Sequence, residues 1–198
     1  IVLMHLDFLP LKTNANITED NALRIDWENI IPKNELSYIM GNPPFIGYSL
    51  QTKEQKEDIL SIYVDENGKP YKTAGKVDYV SGWYFKAAQL MQNTVIQTAF
   101  VSTNSITQGE QVAAVWKPLY ERFHIHIDFA HRTFVWGSEA KLKAAVHCVI
   151  IGFSTSMSKG KCRLYDNGAL EETVQISPYL IDAPITFINS RTNPLCNV

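Results

Sequence analysis

Two consecutive prolines, Pro43 and Pro44, directly after a short apolar run constrain the fold more than any other feature of this chain. The run is Ser37-Tyr38-Ile39-Met40, followed by Gly41, and it reads as a buried strand. Each proline lacks a backbone N–H and fixes its own φ, so neither can continue a central sheet. The strand therefore ends in a rigid polar loop, Asn42-Pro43-Pro44-Phe45, at its C-terminal edge. In open α/β sheets that edge is where ligands bind.

The chemistry of the loop suits an exocyclic or amide –NH2 group. Such a group offers two N–H donors: the Asn42 side-chain oxygen can accept one and the Pro43 carbonyl the other. Two acceptors in fixed positions would hold the nitrogen with its lone pair facing a methyl donor. Phe45 supplies a flat apolar face for a planar amide or base. Taken alone, the tetrapeptide also fits a proline-rich strand-ending turn with a core phenylalanine.

The 198 residues, 45% hydrophobic, can bury one good core, so one domain is the default. The formal charge of −2 lacks the basic balance of a self-sufficient DNA-binding domain. Cys148, Cys162 and Cys196 are far apart, with no CxxC pair and no clustered Cys/His spacing, so no zinc site is expected and a reducing, cytoplasmic setting fits. No apolar run approaches the ~18 residues of a membrane span, and no signal peptide is evident. The chain starts at Ile1 without an initiator methionine and stops at Val198 with no element completed, so it reads as a fragment of a longer protein.

Residues 1–12 are apolar and read as the end of a helix limited by Pro10. Ile25 and Trp27 alternate with Asp26 and Glu28, a pattern of surface alternation. Residues 46–76 are polar and lysine-rich, with a short helix at Glu54–Leu60 and a turn at Asn67-Gly68-Lys69-Pro70. They read as a long loop, either closing over nucleic acid or simply solvated. The spacing of Val80, Trp83, Tyr84, Ala87, Ala88 and Met91 predicts a helix over 77–92, with Asp78 at its positive end. Thr98–Thr103 reads as a strand, and Glu110–Phe123 as an amphipathic helix that Pro118 can kink. His124–Phe129 alternates as a strand, which puts His124 and His126 on one face; no third metal ligand accompanies them. Ala144–Phe153 is the most apolar strand. Between these two strands, Phe134 and Trp136 interleave with Arg132, Lys141 and Lys143, which suits a nucleic-acid surface. After Ser154 come a turn at Lys159-Gly160-Lys161 and short extended pieces at Ile176–Leu180 and Pro184–Ile188.

Asn42-Pro43-Pro44-Phe45 after an apolar strand, the Asp-initiated aromatic helix and the aromatic final hairpin together resemble the S-adenosylmethionine-dependent DNA N6-adenine methyltransferases. The likeness is strongest to the methyltransferase region of large single-chain type II (IIG/IIL) restriction–modification enzymes, and it runs through nearly the whole chain. It implies an α/β fold: the C-terminal half of a Rossmann-like class I methyltransferase sheet, ending in an antiparallel strand pair. Residues 1–155 would be the acceptor side of the catalytic domain, and 156–198 the start of a linker or target-recognition region. The glycine-rich turn and ribose-binding acid that hold S-adenosyl-L-methionine would lie upstream of Ile1.

The resemblance also assigns residues. Asn42, Pro43, Pro44 and Phe45 would be catalytic. Asn21, with Asp20 beside it, would lie near the cofactor adenine, though an Asx-turn or helix cap explains either residue equally well. Trp83 would touch the cofactor or else belong to a core stripe. Phe134, with Trp136 as the alternative, would cover the other face of an adenine flipped out of double-stranded DNA, and Arg132, Lys141 and Lys143 would contact the DNA. No metal is needed, and this piece alone is expected to be inactive. A protein-glutamine methyltransferase, whose acceptor amide also presents –NH2, and a non-catalytic DNA- or partner-binding fragment are the competing readings.

Overall fold

The computed structural model describes residues 16–136, 146–156 and 160–188. Six strands form one mixed sheet: β1 (Tyr38–Gly41), β2 (Gln97–Thr103), β3 (His126–Trp136), β4 (Val146–Ser154), β5 (Cys162–Asp166) and β6 (Ala169–Thr173). Their order across the sheet is β1-β2-β4-β3-β5-β6. β1 and β2 are parallel, β4 is antiparallel to both β2 and β3, and β5 runs parallel to β3 before turning back as β6.

Side chains alternate across a strand, and β2 shows what each face of the sheet does. Thr98, Phe100 and Ser102 are buried under the helices α2 (Ser81–Leu90) and α3 (Gly109–Phe123), whereas Gln97 and Ala99 point the other way. That second face lines an open groove of about 1120 Å³ which reaches from β1 across to β5.

The helical side holds the core. Of the predicted stripe, Val80, Tyr84, Ala87, Ala88 and Met91 are fully buried, and Trp83 is half-buried against the core. The Tyr84 ring is stacked on Phe153 with centroids 5.3 Å apart and meets Phe100 and Trp116 edge-on. Its hydroxyl shares a 2.7 Å hydrogen bond with Ser102 Oγ. α3 carries Pro118 within it and still buries Val112, Val115, Trp116, Leu119 and Phe123. Across the sheet, Gly152 leaves room for the Phe129 ring: a Cβ there would lie 2.0 Å from Phe129 Cε1.

Several expectations are corrected. β1 has the apolar composition of an interior strand, yet among the described residues it is paired on one side only, so Tyr38 and Met40 are exposed. The predicted 77–92 helix begins at Ser81, because Asp78 turns its carboxylate away from the helix and bonds a loop amide and a hydroxyl. His124 is not on a strand face with His126. It ends α3 in a left-handed conformation, φ 50°, with its N–H bonded to the Leu119 and Tyr120 carbonyls. The short helix expected at Glu54–Leu60 is present as α1 (Lys53–Ile62), opened by a Thr52–Gln55 capping box, but the rest of 46–76 is not a long loop: Ile59, Tyr63 and Ala74 join the core. Beyond residue 155, β5 and β6 extend the same sheet where only turns and short extended pieces were expected. The end of a helix read at 1–12 lies outside the described residues. Among those residues no helix is long and apolar enough to cross a membrane, and no three His, Cys, Asp or Glu side chains are grouped to hold a metal.

Candidate acceptor site

The strand register brings the predicted site residues to one end of the sheet. Gly41, the last residue of β1, pairs with Phe100, and β2 continues to Thr103. Thr103 is opposite Cys148 on β4, and Cys148 is opposite Phe134 on β3. The Asn42–Phe45 loop and the Phe134–Trp136 end of the hairpin therefore overhang the same C-terminal edge of the parallel strands β1 and β2. Phe134 is half-buried, in edge contact with His131 at 5.1 Å, and Trp136 is exposed beside it at 6.2 Å.

Within the loop, Pro43 is buried, Phe45 is half-buried, and Asn42 and Pro44 are exposed. Among the described residues nothing hydrogen-bonds the Asn42 side chain or the Pro43 carbonyl. Among the described residues both acceptors are thus unengaged, and the two prolines stiffen the backbone that carries them. A hollow of about 450 Å³ opens beside them, lined by Asn42, Pro43, Pro44, β1, Phe100, Trp83, Trp27, Ile30, Ile31 and Leu36. Trp83 packs edge-on against Tyr79 at 5.2 Å and still reaches the hollow. The larger groove on the open sheet face contains none of the four loop residues, so its size does not make it the site.

Trp27, Ile30 and Ile31 are the residues that sequence reasoning missed. Trp27 anchors a 3-10 turn, Trp27–Asn29, capped by the Asp26 carboxylate, and its indole N–H donates to the Ala22 carbonyl at 2.8 Å. Lys86 of α2 lies 5.5 Å from the Trp27 ring centre and donates to the Leu23 and Ile25 carbonyls. Burial pulls that ammonium below the ordinary lysine value. The available signal was two isoleucines and a tryptophan in a short stretch otherwise polar.

Asn21, expected near the cofactor adenine, takes the Asx-turn that was its alternative reading. Its Oδ1 accepts the Leu23 N–H at 2.9 Å and its Nδ2 donates to Asp58 at 2.9 Å, so both ends of the amide are occupied. Asp20 is exposed, with Oδ1 accepting the Asn21 N–H, and neither residue lines the hollow. Asp58 is the hub of this region: 4% exposed, it also takes Arg24 Nε at 2.6 Å and the Tyr79 hydroxyl at 2.9 Å. Burial alone would raise the Asp58 carboxyl, but the Arg24, Asn21 and Tyr79 donors outweigh it and hold it below its usual range. Burial and the same carboxylate push Tyr79 up to about 12.

A carboxyl held down in the folded state stabilises the fold above its unfolded value, ~3.9, and loses that contribution as pH falls through the lower folded value. Acidification from about pH 5 to pH 3 should therefore lower the melting temperature of the native protein more steeply than that of Asp58→Asn. Calorimetry across that window checks it; parallel acid limbs would contradict it.

Arg132, expected to contact DNA, has partners within the protein. Its guanidinium donates to the Leu180 carbonyl at 2.9 Å and to Asp166 at 3.1 Å, with Glu171 at 3.8 Å. It is tied within the protein as a brace between β3, β5 and β6, and is not a free cation at the surface. Lys141 and Lys143 lie outside the described residues.

A mixed α/β sheet carrying an amide–proline–proline–aromatic loop at a strand end, beside a tryptophan-walled hollow, has the form of a methyltransferase domain. The chain belongs to the family described as MmeI, DNA-methyltransferase domain, which residues 2–166 match. It is 40% identical over 192 residues to DNA methyltransferase A of Bacillus subtilis (strain 168), covering 96% of this chain and 21% of that protein. It also resembles the solved structure of the type IIL restriction–modification enzyme MmeI in complex with DNA, with 42% identity and a TM-score of 0.85 over 96% of this chain and 25% of that one. The chain thus spans between a fifth and a quarter of the length of these relatives.

Proposed function

We propose that this chain is the acceptor side of a domain that methylates N6 of adenine, flipped out of double-stranded DNA, in a restriction–modification enzyme using S-adenosyl-L-methionine. The observation that carries the reading is the pair of acceptors, Asn42 Oδ1 and the Pro43 carbonyl, which no described residue engages, on backbone that two prolines stiffen at the strand end. An adenine amino group has the matching two donors, and inside a stacked duplex it is out of reach, so the base must leave the stack. Relatives named as a DNA methyltransferase and as a restriction–modification enzyme bound to DNA support the choice of DNA over a protein amide.

The residues present fit one part of the cofactor. The hollow is apolar, flanked by Trp27 and Trp83, and suits a flat adenine ring; its lining holds no carboxylate for a ribose. When bound, S-adenosyl-L-methionine supplies an electrophilic methyl group. The chain's own part is positioning: Asn42 and Pro43 accept the two N–H bonds, which turns the nitrogen lone pair away from the loop. Phe45 stacks on one face of the base, and Phe134, with Trp136 next to it, closes the other. Holding reactants in line in this way is a large part of a transfer barrier.

Stacking of one base on an aromatic side chain contributes ~1–3 kcal/mol. Phe45→Ala should therefore weaken binding to DNA whose target adenine faces an abasic site by about 5- to 150-fold. Equal affinity of the native and Phe45→Ala proteins for that DNA would count against the base lying on Phe45.

A further inference from the structure

The acceptor loop is held at its far end by one short segment, residues 77–79. Gln51 Nε2 donates to the Val77 carbonyl at 2.9 Å, the Tyr79 N–H donates to the Ile46 carbonyl at 2.9 Å, and the Tyr48 N–H donates to Asp78 Oδ1 at 3.0 Å. Of these three residues, Asp78 is the one that also bonds the segment after β2. Its second oxygen, Oδ2, accepts the Ser105 hydroxyl at 2.6 Å, just past the end of β2. Because Ser105 has one proton and gives it to Asp78, its contact with Thr103 Oγ1 at 2.8 Å is one in which Thr103 donates. The Asp78 N–H is itself fixed by Gln111 Oε1 of α3 at 3.2 Å. The carboxylate is 7% exposed, so these bonds are little weakened by water.

We infer that Asp78 is a positioning residue for methyl transfer: it brackets the loop that follows Asn42–Phe45 to the end of β2 and so sets where the Asn42 and Pro43 oxygens point. The inference deepens the proposed reading of the loop as the acceptor site and rests on it. Two features make the bracket matter. The double proline stiffens the backbone next to Asn42, and Ile46, whose carbonyl accepts the Tyr79 N–H, ties that stretch to the 77–79 segment that carries Asp78. A carboxylate is also the one side chain here that presents two acceptors, one for each neighbour. An error of ~1 Å in the alignment of reacting groups costs ~10²-fold in rate.

The test uses the complete open reading frame that contains this chain, with labelled S-adenosyl-L-methionine and DNA. Turnover is expressed per donor-binding site counted by calorimetry, so loss of folded protein does not enter. Asp78→Ala should lower kcat ~30–100-fold, with KM for donor and DNA within about threefold of native. Asp78→Asn keeps Oδ1 for Tyr48, and its amide can donate to a reversed Ser105–Thr103 pair. It should stay within about fivefold of native. Ser105→Ala, which removes one arm and leaves the Tyr48 bond, should lower kcat ~3–10-fold. If Asp78→Ala does not fold, Ser105→Ala decides alone. Native kcat per site in Asp78→Ala or in Ser105→Ala, while Asn42→Ala is inactive, overturns the bracket. Native turnover in Asn42→Ala instead overturns the reading of the loop itself.

Discussion

Replacing Asn42 with alanine is expected to lower methyl transfer by ~10²–10³-fold, the loss seen when one preorganised polar group is removed from a reacting centre. The expected change in unfolding free energy is no more than about 0.5 kcal/mol. The two halves of this expectation come from the same observation. The Asn42 side chain is exposed and makes no hydrogen bond among the described residues, so its removal breaks nothing in the fold. It nonetheless stands at a strand end, on backbone that Pro43 and Pro44 stiffen, beside the hollow. On the proposed reading its amide serves binding and not folding. Turnover and chemical denaturation measured on the same preparation check both halves. A variant that keeps native turnover removes Asn42 from the site, and one that loses turnover only in step with stability makes it a structural residue.

The largest expected effect on stability is at Tyr84. The side chain is fully buried and touches the three aromatic rings that join α2, α3 and the sheet. Tyr84→Ala removes those contacts, leaves a cavity and orphans the buried Ser102 hydroxyl. Truncations of large buried aromatics cost about 3–5 kcal/mol. Burial also pushes the Tyr84 phenol far above its ordinary value, so it stays neutral over the range in which the protein is studied. Tyr84→Phe isolates the polar part: it keeps the ring stack and gives up one hydrogen bond, for about 1–2 kcal/mol. Urea denaturation followed by the fluorescence of buried Trp116 measures both. A loss below about 1 kcal/mol in Tyr84→Ala would mean that the aromatic cluster does not hold α2 to the sheet.

What the sequence made legible was whatever repeats locally. The α2 stripe is written at helical spacing, and all of its fully apolar members are buried. β2 alternates, and the loop after β1 announces itself through its prolines. The α3 stripe survived Pro118 because its buried face outweighs one lost backbone bond. Elements whose reason lies far along the chain stayed hidden. Asp58 looks like one of several charges on a short polar helix, and only the fold brings Asn21, Arg24 and Tyr79 to it. β5 buries only Leu164 deeply, and β6 is exposed except at Thr173, so neither has a periodic signature. His124 sits in an alternating stretch, but the end of α3 claims it. In the candidate site the same division holds. The double proline marks the loop in the sequence itself, whereas the second tryptophan wall, Trp27, and the Asp78–Ser105 bracket exist only once the chain is folded.

The most direct test of the central claim is labelled methyl transfer by the complete open reading frame, offered unmethylated double-stranded DNA and cell protein together, each then digested and separated. The account predicts label in N6-methyladenine and its loss in Asn42→Ala. Label in protein glutamine with none in DNA, or no label in either, would contradict it.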